Sequence, residues 1–155
     1  MLLCVAALSL LATFDWVSPA RAERPAFDTV PIAIDRGDGT IVDLAVELAV
    51  SPFQQQYGLM FVTALDDHQG MLFIFNADAM RSFWMKNTLI PLDMLFFDSE
   101  GRLVSALVDV PPRNTEPRPS AAPARYVLEL KGGSMARLGI KSGARLLLRD
   151  LIAAD

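Results

Sequence analysis

The chain of 155 residues carries 14 Lys and Arg against 18 Asp and Glu, a formal net charge of −4, and apolar types make up 52% of it. That length suits one domain with a sizeable core, and the apolar content excludes a disordered chain. The acidic balance offers no footprint for nucleic acid, and one Cys with one His leaves no Cys/His zinc site and no internal disulfide.

Leu2 to Phe14 form an uncharged apolar run, too short to span a bilayer comfortably, and Ala20-Arg21-Ala22 follows as a small-x-small cleavage pattern. Residues 1–22 are therefore expected to be a signal peptide. Cleavage removes Cys4 and leaves residues 23–155 as a single exported domain, periplasmic or secreted, with no stable membrane anchor. An uncleaved anchor is the alternative.

Val30, Ile32 and Ile34 alternate with Pro31, Ala33 and Asp35, and Val42 to Val50 alternate in the same way. This is the period of half-buried strands, and Arg36-Gly37-Asp38-Gly39 between them predicts a hairpin. Ser51-Pro52 reads as a helix start and Gly58 as its stop, with an irregular loop as the alternative. Met71 to Phe75 and Met94 to Phe97 are apolar on both faces, as central strands covered on both sides would be. Arg81 to Lys86 reads as a further strand, and Asp98 to Gly101 as a turn into a strand over Leu103 to Val110. Pro111 to Pro123, with five prolines, reads as an extended surface loop. Tyr126 to Lys131 alternates again, a short helix covers Ser134 to Leu138, and a last strand runs from Leu146 to Leu151. Short strands with Gly/Pro turns and two short helices predict a mainly β fold, a compact sandwich or barrel.

Gly58-Leu59-Met60, then Gly70-Met71-Leu72-Phe73, then Phe83-Trp84-Met85-Lys86-Asn87-Thr88 through Ile90-Pro91-Leu92-Asp93 together resemble the family called domain of unknown function 192 (DUF192). The resemblance continues through Tyr126-Val127-Leu128-Glu129-Leu130. It implies a jelly-roll-like β-sandwich and agrees with an export signal, and it implies no particular reaction. Two departures are Val62, where the family usually has Arg, and a proline-rich loop without cysteines.

The candidate ligand-binding residues are Trp84, Lys86, Asn87, Thr88 and Asp93. If the flanking strands pair as a hairpin, Lys86 and Asp93 meet at one mouth of the sandwich, as an ion pair ordering the loop or as an anchor for an anionic ligand. Trp84 and Lys86 should share the face opposite Phe83 and Met85, where an exposed ring can stack on a flat ligand. Asn87 and Thr88 are turn formers or donors into a pocket. The methionines lie in apolar runs, as gap-filling core residues do, and His68 sits in a polar turn, so no metal site or cofactor is expected. No catalytic set is recognisable. The sequence thus points to a non-enzymatic exported binding or accessory module for a small ligand or protein partner, with an enzyme using Lys86, Asn87 and Asp93 as the alternative.

Overall fold

The computed structural model describes residues 23–147. The expected cleavage site after Ala22, and the expected last strand beyond Leu147, lie outside the described residues.

Strands β1 (Thr29–Asp35) and β2 (Ile41–Ala49) form the expected antiparallel hairpin. Its turn is tied by Asp35 Oδ1, which accepts from the N–H groups of Gly37 at 2.8 Å and Gly39 at 3.0 Å. Gly37 has φ 96° and lies so close to Ser142 that an added Cβ would stand 2.8 Å from its carbonyl oxygen. Only glycine suits both demands. Helix α1 (Pro52–Tyr57) follows, opened by a capping box: Ser51 Oγ accepts from Gln54 N–H, and Gln54 Oε1 accepts from Ser51 N–H. Gly58, with φ 52°, ends it.

α1 lies in the crossover to β3 (Gln69–Ala79), which pairs parallel to β2. The remaining elements are β4 (Ser82–Phe83), β5 (Leu92–Phe97), β6 (Leu103–Val110), β7 (Arg118–Pro119), β8 (Ala124–Lys131), α2 (Ser134–Arg137) and β9 (Arg145–Leu147). Seven strands make one sheet in the order β6-β5-β8-β3-β2-β1-β9, and β4 pairs with β7 as a separate ribbon. The large sheet curls into a half-barrel until its two edges meet at one end. There Arg102 bridges Arg145, and Leu103 N–H donates to the Ala144 carbonyl at 2.9 Å.

Both faces of the central strands are buried, as the two-faced apolar runs predict. Ile34, Leu72, Leu95, Leu128 and Leu146 belong to one cluster drawn from β1, β3, β5, β8 and β9, which places it inside the curl. Met71, Phe73, Met94, Phe96 and Val127 form a second cluster on the outer face. Leu59, which follows α1, and Met85, which follows β4, close over that face.

Two expectations need correction. The strand expected over Arg81 to Lys86 is reduced to Ser82–Phe83, and it pairs with β7 instead of forming a hairpin with β5. The reason is competition: β5 has both edges occupied, by β6 and by β8. The proline-rich segment is mostly exposed, yet it is laced to the Arg81–Thr88 stretch. Met85 N–H donates to the Asn114 carbonyl at 2.7 Å, Arg113 N–H to the Thr88 carbonyl at 3.0 Å, and Ser120 N–H to the Arg81 carbonyl at 2.8 Å.

Candidate functional site

Lys86 and Asp93 do not meet. Asp93 has no exposed surface and faces α2 instead, where its carboxylate accepts three backbone N–H groups, from Asp109 at 2.7 Å, Gly133 at 2.9 Å and Met135 at 2.8 Å. It is a structural pin. The expected ion pair fails because Asp93 shares the inner face of β5 with Leu95 and Phe97, whereas Lys86 stands on the outer side of the molecule.

Trp84 and Lys86 do share a face, as alternation predicts. Met85 between them is buried, Trp84 is 45% exposed, and Lys86 Nζ stands 5.3 Å from the centre of the Trp84 ring. Thr88 is buried and lines the same hollow as these two. Asn87 sits just outside it, in the left-handed region at φ 56°, with Nδ2 3.8 Å from Met60 Sδ. Of the five candidates, the structure thus gathers Trp84, Lys86 and Thr88 at one hollow, leaves Asn87 beside it, and takes Asp93 away.

That hollow is a pocket of about 380 Å³ between α1, the turn after it, β3 and the Arg81–Thr88 stretch. Tyr57, Phe73, Phe75 and Phe83 supply rings to its lining, and Phe73 and Phe83 meet edge to face at 5.0 Å. Arg81 stands at the mouth with its guanidinium 3.9 Å above the Phe75 ring. Its Nε donates to the Ala124 carbonyl at 2.9 Å, and its Nη2 donates to the Ala77 carbonyl.

Glu129 completes the lining, and the sequence does not single it out as a site residue. It lies on β8 directly between Met71 of β3 and Met94 of β5, on the outer face with Val127. The residue is 4% exposed, and its carboxyl makes no hydrogen bond within the described residues. Burial raises its pKa from the usual 4.5 to about 8, so the group is uncharged at neutral pH. An unpaired carboxyl taken from water costs several kcal/mol if charged, and protonation is how this one remains in the core. The sequence carries no local signal for Glu129: between Leu128 and Leu130 it alternates as an outward residue does, and its burial follows from the place of β8 between β3 and β5.

The arrangement can hold a polar group at the floor, surround an apolar body with rings, and meet a negative charge at the mouth with Arg81 and Lys86. Met71, Met85 and Met94 have no exposed surface, as core residues do, whereas Met80 is 59% exposed and Met60 and Met135 are half-buried. His68 lies in an exposed turn, with Nδ1 2.8 Å from the Asp43 carbonyl.

Fold and site together define a small half-barrel β domain with a ring-lined pocket over a buried acid. The DUF192 family model, described as an uncharacterized ACR, matches residues 33–148, and the chain belongs to this family. A solved structure from Sinorhizobium meliloti 1021, described as a candidate transcription regulator, is 37% identical with a TM-score of 0.77, covering 81% of this chain and 97% of that one. A protein of unknown function from Novosphingobium aromaticivorans DSM 12444 is 39% identical with a TM-score of 0.73, covering 77% of this chain and 84% of that one. No curated protein matches the chain.

Proposed function

We propose that the chain is an exported, non-enzymatic binding module that takes a small organic ligand into the Glu129 pocket. What supports this reading is Glu129, a residue 4% exposed whose carboxyl lines a hollow and has no hydrogen-bond partner among the described residues. A polar group held at such low exposure favours a ligand that bonds it. The pocket has the volume of a small-molecule site, and its lining mixes rings with polar side chains such as Gln55, Ser82, Thr88 and Glu129. Trp84 at the mouth, partly exposed beside Lys86, adds a flat surface on which a ligand can stack. The regulator description of the Sinorhizobium meliloti relative is not carried over, because a net charge of −4 gives no attraction to a phosphate backbone.

The enzyme alternative rests on a different residue from Lys86, Asn87 and Asp93, which the sequence suggests. A carboxyl with a pKa of about 8 is a competent proton donor near neutral pH. Chemical change of a bound compound would separate an enzyme from a binding module.

A thermal-shift screen of residues 23–155 against sugars, amino acids, peptides and nucleotides tests the reading. A ligand that binds the native state raises Tm, and the shift should shrink in Glu129→Gln and in Trp84→Ala. Absence of any hit across these classes would contradict the small-ligand reading. Export is tested separately by the intact mass of the protein recovered from outside the cytoplasm, which should begin at Glu23.

A further inference from the structure

We infer that the ligand of this pocket is a zwitterion, seated with its ammonium group against Glu129 and its anionic group at the mouth between Arg81 and Lys86. The inference rests on the binding reading above and names the ligand class.

The pocket is polar at its two ends with opposite sense. At the floor, the Glu129 carboxyl lies between the uncharged side chains of Met71 and Met94, with no partner among the described residues. The other titratable or charged groups lining the hollow are Tyr57 on α1, and Arg81 and Lys86 at the mouth. Burial raises the pKa of Glu129, and among the described residues neither cation forms an ion pair with its carboxyl.

An ammonium group supplies what the floor lacks: an opposite charge and donors for both carboxylate oxygens. The rings of Phe73 and Phe83 in the lining are compatible with a cation beside them. A simple amine, however, would have to pass two cations at the mouth. Arg81 is fixed there by two backbone carbonyls, and Lys86 rests over Trp84. A ligand with a carboxylate or similar anion at its outer end turns that obstacle into an attraction. The rings between the two ends suit an apolar spacer. An amino acid with a hydrocarbon body meets all three demands; an amine, an acid or a neutral alcohol meets two at most.

Seating an ammonium at the floor draws Glu129 into its charged form, so binding below pH 8 must release a proton to solvent. Affinity should then rise about tenfold per pH unit between pH 6 and 7.5 and level off above pH 8.

The test is isothermal titration calorimetry of residues 23–155 with ω-amino acids of three to eight carbons and with phenylalanine. n-Alkylamines, fatty acids and alcohols of matched length serve as comparisons, in buffers of differing ionisation heat. At least one amino acid should bind tenfold or more tightly than its amine, acid and alcohol counterparts, releasing close to one proton at pH 6.5. Glu129→Gln should abolish the proton release and the preference for the ammonium end. Lys86→Met should weaken binding of the amino acid and should not weaken binding of the amine, for which it removes an opposing charge at the mouth. The proton count is read on the unsubstituted protein, so it stands even if a variant fails to fold. Alcohols or acids binding as well as amino acids, with no proton released, would overturn the zwitterion inference and leave the pocket a ligand site. Failure of every compound, here and in the wider screen, would remove both.

Discussion

Asp93 Oδ2 accepts the backbone N–H of Met135 at 2.8 Å, so a side chain on β5 caps the first turn of α2 across 42 positions of sequence. The other oxygen holds Asp109 and Gly133. One carboxylate therefore ties β5 to two other backbone segments, the end of β6 and the start of α2.

Asp93→Ala should accordingly destabilise the domain by about 2–4 kcal/mol, since three partly buried hydrogen bonds lose their acceptor. Lys86→Ala should change stability by less than about 0.5 kcal/mol, and the double variant should show the sum of the two. Urea melts of the three variants check this, and a coupling energy between the positions would restore the ion pair that the structure lacks.

Gly70 explains how β3 and β8 come close enough to bury Glu129. It pairs with Leu130, and an added Cβ would collide with the Glu129 carbonyl oxygen and stand 2.8 Å from Leu130 Cδ2. Gly70→Ala should cost about 2 kcal/mol or more, because the nearest obstacle is backbone of a central strand. Chemical denaturation gives the number, and a loss below about 0.5 kcal/mol would mean that the sheet yields there.

Trp84→Ala should separate function from stability. The ring is 45% exposed and carries Lys86 over its face. Removing it should shift stability by about 0.5 kcal/mol or less and weaken ligand binding several-fold. Loss of folding instead would make Trp84 a core residue.

Much of the fold was legible because local rules were strong. Alternation in Val42 to Val50 gave β2, the Gly-rich turn gave its hairpin, and Ser51-Pro52 with Gly58 gave a helix that the structure caps on both sides. The errors fell where long-range pairing decides. Two residues of β4 carry no periodic signal, and their partner Arg118–Pro119 lies in a proline-rich stretch. The Lys86–Asp93 pairing assumed a hairpin that β8 and β6 prevent by occupying both edges of β5. Glu129 was read past for a related reason. Between Leu128 and Leu130 it has the pattern of an outward residue, and only the turn after α1 and the segment around Met85 turn that outer face into a second core.

The pH dependence of stability follows from the same residue. The pKa of Glu129 is about 8 in the folded chain, against the ordinary 4.5. Between those values the folded state binds more protons than the unfolded one. Its contribution is therefore whole below pH 4.5, falls as pH rises, and is lost by the time pH passes 8. The slope approaches about 1.4 kcal/mol per pH unit. Glu129→Gln removes this slope, so urea melts at pH 5, 7 and 9 should show the variant gaining on the parent as pH rises. Parallel profiles would count against a buried, uncharged carboxyl.

The most direct measurement is the titration of Glu129 itself, followed through its side-chain carboxyl carbon by NMR in uniformly ¹³C-labelled protein and assigned by comparison with Glu129→Gln. The account predicts a midpoint near pH 8 in the free protein, moving sharply downward when a zwitterionic ligand is bound. A midpoint in the ordinary range near 4.5 would mean that the group is solvated or already paired, and would contradict it.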